Sequence, residues 1–204
     1  MYHETIRAFV AAQLDIAASR RVADLARRAR SARSAPPGTW VSPVNYHITL
    51  RFLGEIDPGL APAIGDMMRD SLVVSAPLKV RLKGLGAFPK LDAARSLFVA
   101  IEDPQGGLGH LLRSLSAGLD ELGLDPEKQP FVPHLTLARF RNPIDLRPLT
   151  MEVGKLDPEA RCTECSLFRS ELRPPGAPLY TALSVVPLVA RKPAAPAKGA
   201  ATRR

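Results

Sequence analysis

The sequence predicts an α+β fold: bilobal, two similar lobes of mostly antiparallel sheet with helices on the outside. Two observations carry this. A tetrapeptide of the form His-aliphatic-Thr-Leu occurs twice, as His47-Ile48-Thr49-Leu50 and His134-Leu135-Thr136-Leu137, 134 − 47 = 87 positions apart. Each half of the chain also holds a helix, one of these His-x-Thr segments and further strand-like segments. Their order, strand-helix-strand-helix-strand-strand-helix-strand-strand-strand, lacks the regular alternation of a doubly wound parallel sheet.

The elements follow from local pattern. Thr5 to Gln13 alternates as a strand, with Ile6, Ala8 and Val10 on one side and Arg7, Phe9 and Ala11 on the other. Asp15 caps a following helix whose apolar face is Ala18, Val22, Leu25 and Ala29. The rest of that helix carries Arg20, Arg21, Arg27, Arg28, Arg30 and Arg33, which read as a solvated face before they read as an RNA-binding one. Pro36-Pro37-Gly38 ends it. Trp40 to Val44 is short and extended, and Tyr46 to Gly54 is the first His strand.

Pro58 opens a second helix with Leu60, Ile64, Met67, Met68 and Leu72 at helical spacing. Leu78 to Leu85 and Ser96 to Glu102 are strands. A third helix has a leucine stripe, Leu108, Leu111, Leu112, Leu115, Leu119 and Leu122, which is core. Leu135 to Phe140 is the second His strand, broken by Asn142-Pro143. Cys162 to Leu172 and Leu179 to Pro187 are strands about the turn Pro174-Pro175-Gly176. Residues 1–189 are therefore expected to form a single bilobal domain, and 190–204, rich in Pro, Ala, Lys and Arg, a disordered basic tail.

Charge bounds the partners. The 204 residues carry a formal +8 and a pI near 10.0, which favours an anionic partner, RNA or DNA before a membrane. Arg191, Lys192, Lys198, Arg203 and Arg204 lie in the tail, so the body holds only 8 − 5 = +3. No leader pattern and no run near the roughly 20 apolar residues of a membrane span is present, so a soluble, cytoplasmic monomer is expected. Cys162 and Cys165 sit in a strand pattern without a second pair to complete a zinc site, so they read as reduced structural cysteines.

The paired tetrapeptides carry the chemistry. In an alternating strand His and Thr two apart share a face while the aliphatics bury on the other. Two such strands facing each other surround one cleft with two imidazoles, able to act as general base and acid, and two hydroxyls able to donate to an oxyanion. Nothing in the pattern is a metal shell, so neither metal nor other cofactor is expected, and the ligand brings its own charge, as a phosphate does.

These residues resemble the 2H phosphoesterases. His47-Ile-Thr-Leu-Arg-Phe-Leu-Gly54 and Pro133-His-Leu-Thr-Leu-Ala-Arg139 look like the versions found in RNA 2′,3′-cyclic phosphodiesterases, also called 2′-5′ RNA ligases. Arg7-x-Phe9-x-Ala11, Gly84-Leu-Gly-Ala-Phe-Pro89, Leu167-Phe-Arg-Ser170 and Gly176 followed by Tyr180 fall in the matching order, over about residues 5 to 187. The resemblance implies a bilobal fold with a central cleft and metal-independent opening of RNA 2′,3′-cyclic phosphate ends to 2′-phosphates. It implies His47 as the acid on the 3′-oxygen and His134 as the base on water, with Thr49 and Thr136 on the non-bridging oxygens. The residues themselves do not assign the two histidines. Arg139 matches the family's basic residue five positions after the second His, yet strict alternation turns it away from His134; Arg51 alternates onto the His47 face and is the other candidate clamp. Arg7 and Phe9 point the same way along the first strand, and Phe9 reads equally as a base-stacking ring and as core. Ligation or cleavage of 2′-5′ bonds and non-catalytic RNA binding are the alternative functions.

Overall fold

The computed structural model describes residues 4–72, 77–154, 158–172 and 178–189. The expected turn at Pro174-Pro175-Gly176 and the tail 190–204 lie outside them. Among the described residues eight strands and four α-helices follow one another: β1 (Ile6–Leu14), α1 (Ile16–Ser31), β2 (Thr39–Trp40), β3 (Ile48–Ile56), α2 (Leu60–Ser71), β4 (Leu78–Phe88), β5 (Ala94–Glu102), α3 (Gly107–Glu121), β6 (His134–Ile144), α4 (Arg147–Val153), β7 (Glu159–Glu171) and β8 (Leu179–Pro187).

All strand pairs are antiparallel, and the sheet runs β2-β6-β5-β4-β7-β1-β3 with β8 on β7. The two lobes are β3-β1-β7-β8 and β4-β5-β6-β2. One strand joins them: the first residues of β7, Glu159 to Cys162, pair with β4, and later ones pair with β1 and β8. The sheet curls so that β3 and β6, on opposite lobes, come into contact. These are the two His-x-Thr strands.

Local chemistry explains the elements. Asp15 accepts from the Ala18 amide at 2.7 Å, a cap contributing about 1 kcal/mol. Helix α1 buries Ala18, Val22, Leu25, Ala26 and Ala29, the face that its spacing predicts, and leaves Arg20, Arg27, Arg28 and Arg30 exposed. Helix α3 buries Leu108, Leu111, Leu115 and Leu119 and packs on α2, β3 and β4. Cys162 and Cys165 are buried free thiols in β7; burial pushes Cys162 up to about 12 and raises Cys165 as well. A thiolate is thus strongly disfavoured at both, consistent with a packing role.

Three elements differ from the sequence expectation, the first being the segment expected as extended from Trp40 to Val44, which is a strand only at Thr39–Trp40 and turns as a 3₁₀ helix at Pro43–Asn45. Asn142-Pro143 does not break the second His strand, which continues to Ile144. The short β2 pairs only with Ala138 and Arg139, so beyond them β6 is an edge where Pro143 has no ladder bond to lose. Helix α4 is additional: Asp145 accepts from the Arg147 amide at 3.0 Å, and Leu149 is buried.

Candidate active site

His47, Thr49, His134 and Thr136 line one cavity of about 330 Å³, together with Arg7, Phe9, Asn45, Phe52, Arg139 and Tyr180. The two motifs are held by the same devices. His47 Nδ1 lies 2.7 Å from the Asn45 carbonyl and His134 Nδ1 lies 2.7 Å from the Val132 carbonyl, each two residues upstream. A carbonyl only accepts, so Nδ1 carries a proton in both rings and Nε2 is left as the exchangeable nitrogen.

The second shared device is a β-bulge. On β3, Thr49 pairs with Ala11 and Arg51 with Val10, so Leu50 is the extra residue. On β6, Thr136 pairs with Phe98 and Ala138 with Leu97, so Leu137 is the extra residue. Both fall on the fourth residue of the tetrapeptide. Each shifts the alternation by one, so the residue five after the His, Phe52 or Arg139, returns to the cavity wall.

The two bulges place the two candidate arginines differently. Arg139 lines the cavity. Arg51 does not: the bulge sends it to the opposite face, where it is 1% exposed. Its guanidinium donates to the carbonyls of Ser116 (3.2 Å), Leu124 (2.8 Å) and Asp125 (2.7 Å) and pairs with Asp120 at 2.8 Å. The expectation of Arg51 as a phosphate clamp is therefore corrected. It ties β3 to the end of α3.

Phe9 is also corrected as a stacking platform. It is 3% exposed, and its ring meets His47 at 4.9 Å, Tyr180 at 5.0 Å and Phe168 at 5.3 Å, so it has no open face for a base. It supports one side of the His47 imidazole. His134 has its own aromatic support, Phe88 at 4.9 Å and Phe98 at 5.2 Å. Gly86 is required there because a Cβ would stand 2.4 Å from the Phe98 ring.

The residues lining the cleft include Arg7 and Arg139 and, among the described residues, no carboxylate side chain. Burial, then the charge of His134 and of Arg139, lowers His47 to about 4, although its hydrogen bond to Asn45 acts against this. Burial and Arg139 lower His134, against its hydrogen bond to Val132. Both rings are thus biased toward their neutral forms, and an anion beside them would favour the charged ones. Sequence reasoning does not single out the carbonyls of Asn45 and Val132, and it quotes Tyr180 only as a matching position, without the contact by which its ring meets His47 edge-on at 5.3 Å. Arg7, on the Phe9 side of β1, lines the cleft as well. Among the described residues no three His, Cys, Asp or Glu side chains converge as a metal-binding group.

Comparison with known proteins bears on most of the chain. Residues 16–173 match the 2′-5′ RNA ligase superfamily. An RNA 2′,3′-cyclic phosphodiesterase of Methanothermobacter thermautotrophicus is 33% identical over 184 residues, 88% of this chain and 97% of its own length. One from Aeropyrum pernix is 36% identical over 141 residues, 68% of this chain and 78% of its own. A crystal structure of a Thermus thermophilus protein aligns with TM-score 0.73 at 29% identity, covering 92% of this chain and 100% of that one. E. coli LigT shares the fold at TM-score 0.66 and 24% identity, over 91% of this chain and 99% of its own.

Proposed function

Because the chain belongs to the 2′-5′ RNA ligase superfamily, we propose that it is a phosphodiesterase that opens RNA 2′,3′-cyclic phosphate ends to 2′-phosphates. One arrangement supports this above all: two imidazoles, each with Nδ1 anchored and Nε2 free, share a cleft with two threonines and Arg139. The names of the relatives from Methanothermobacter and Aeropyrum agree with it.

In this reading the anionic diester enters between the rings and draws a proton onto one of them. His134 Nε2 takes a proton from water as the oxygen attacks phosphorus. The bond from phosphorus to the 3′-oxygen breaks, and His47 Nε2–H gives its proton to that oxygen. Thr49 and Thr136 donate to the non-bridging oxygens, whose charge grows in the transition state, and Arg139 pairs with them. A ribose 5′-hydroxyl in place of water would join the ends by a 2′-5′ bond on the same two rings, the reaction that the superfamily is named for. Residues 1–189 act as one catalytic domain in this reading, a cytoplasmic monomer working on RNA without metal. No described helix is long and apolar enough to cross a membrane.

The test is incubation with an oligoribonucleotide ending in a 2′,3′-cyclic phosphate, with and without EDTA, and identification of the product end. A 2′-phosphate in both conditions is expected. A 3′-phosphate product, no turnover, or loss with EDTA that a divalent ion restores would overturn the reading.

A further inference from the structure

One wall of the catalytic cleft ends on β6, where Arg139 lines the cavity and pairs with Thr39 of β2. Strand β6 runs on past that pair as an edge. There Arg139 and Arg141 are exposed on either side of buried Phe140, so both turn away from the core. They stand two residues apart, about 6.6 Å along the strand. From β5, Arg95 donates through Nη1 to the Arg141 carbonyl at 2.8 Å, which brings a third guanidinium to the Arg141 backbone. Arg95 is exposed as well. The mechanism above uses Arg139 alone.

No carboxylate among the described residues pairs with Arg139, Arg141 or Arg95. The acidic groups on neighbouring elements are engaged elsewhere. Asp145 pairs with Arg147 at 2.7 Å and Asp92 with Lys90 at 3.3 Å, while Glu152 accepts from the amides of Arg33 and Ser34. The other sides of the cleft differ. Toward α3, which packs on β3, the chain from Asp120 to Lys128 carries four carboxylates, Asp120, Glu121, Asp125 and Glu127, against one cation, Lys128. Toward β1, Glu55 stands opposite Arg7 in the ladder.

A phosphodiester held between the two histidines is one link in a chain of anions. The rest of that chain has to leave the cleft, and like charge opposes an exit over α3. A row of guanidiniums with no carboxylate among them is what a string of phosphates pairs with. Successive phosphates of RNA are separated by one sugar, a span of the same order as that from Arg139 to Arg141. An acidic peptide would suit the same charges, but nothing would make it start at the catalytic cleft. Building on the function proposed above, we infer that Arg141 and Arg95 hold the first phosphate on the 5′ side of the reacting one. The enzyme then selects the end of an RNA strand over a lone cyclic nucleotide, and the strand leaves along the β6 edge.

The experiment adds a single phosphate to the substrate. For wild type, kcat/KM for adenosine 2′,3′-cyclic phosphate carrying a 5′-methyl phosphate is divided by that for adenosine 2′,3′-cyclic phosphate itself. The ratio should be about 10 or more, the worth of one charge-assisted contact. Its logarithm should fall with the logarithm of salt with a slope of about −0.7, as for one neutralised phosphate of a single strand. The double variant Arg141→Gln, Arg95→Gln should lower the ratio about 10-fold and flatten that slope. Arg28→Gln, which removes an exposed charge on α1, should leave the ratio as it is. Should the double variant not fold, Arg141→Gln alone keeps Arg95 on its carbonyl and should lower the ratio about 3-fold. A wild-type ratio near one, a ratio unchanged in the variants, or an equal fall in Arg28→Gln would overturn the inference. Turnover of neither substrate by wild type would instead sink the proposed function. In that case fluorescence anisotropy of a labelled tetra-adenylate ending in a 2′-phosphate decides: weaker binding by the double variant than by Arg28→Gln would still support the row, and equal binding would overturn it.

Discussion

Replacing Arg51 by methionine separates a structural arginine from a substrate-binding one. The side chain is fully buried and answers three backbone carbonyls and the Asp120 carboxylate. Methionine fills much of the volume and answers none of them. Asp120 is half exposed and can return to water, so the cost lies mainly with the carbonyls of Ser116, Leu124 and Asp125. Removing one partner from a buried charged network costs about 3–5 kcal/mol. For a chain of this size, roughly 2–4 °C accompanies each kcal/mol, so Tm should fall by about 6–20 °C. Asp120→Asn should cost only about 1 kcal/mol, as for an exposed pair. The assay is thermal and urea unfolding followed by circular dichroism. Arg51→Met within about 1 kcal/mol of wild type but with turnover down roughly 100-fold would refute this reasoning and return Arg51 to the phosphate.

Four further outcomes are expected. His47→Ala and His134→Ala should each lower kcat about 10²-fold or more, measured on a cyclic-phosphate oligonucleotide; near-normal turnover would remove that ring from the mechanism. Thr49→Val and Thr136→Val should cost about 10- to 10³-fold, and an unchanged rate would deny them an oxyanion role. His47 lowered to about 4 means that the folded protein resists protonation there, so stability is full above the unfolded value of 6.5 and is lost as pH falls from 6.5 toward 4. The contribution is about 3 kcal/mol, and Tm profiles of wild type and His47→Gln that stay parallel over that window would contradict it. The imidazolium needed as acid is scarce in the empty cleft above pH 6.5, so kcat/KM should fall with rising pH there. The profile of kcat, taken with the anion bound, should hold to higher pH, and superimposable profiles would argue against proton uptake on binding.

Periodicity made the core legible. The faces of α1 and α3 and the pairing of two His strands on one cleft are written in residue spacing, because burial of one face is what spacing encodes. What spacing cannot express is a change of phase. Leu50 and Leu137 read as ordinary inward residues of alternating strands, and each is the inserted residue of a bulge. Strict alternation therefore puts Arg51 in the cleft and Arg139 outside, the reverse of the structure. The strand through Pro143 depends on which neighbour is missing, a property of the sheet. Short α4 offers too few turns for a periodic signal. The segment from Pro126 to Val132, which lines a second cavity beside the catalytic one, has no repeat to read.

The matched bulges bring one consequence for direction. Each wall shows the incoming diester the same imidazole and the same hydroxyl, and two such walls alone would accept a molecule and its reverse with equal energy. The twin offsets expose a third position on each side, and there the likeness ends, with a ring at Phe52 and a guanidinium at Arg139. A strand of RNA has polarity, and two rings with opposite roles call for a cleft whose two walls are not alike. In this molecule the two walls differ two positions beyond both repeated tetrapeptides, at the pair of positions that the inserted leucines turn inward.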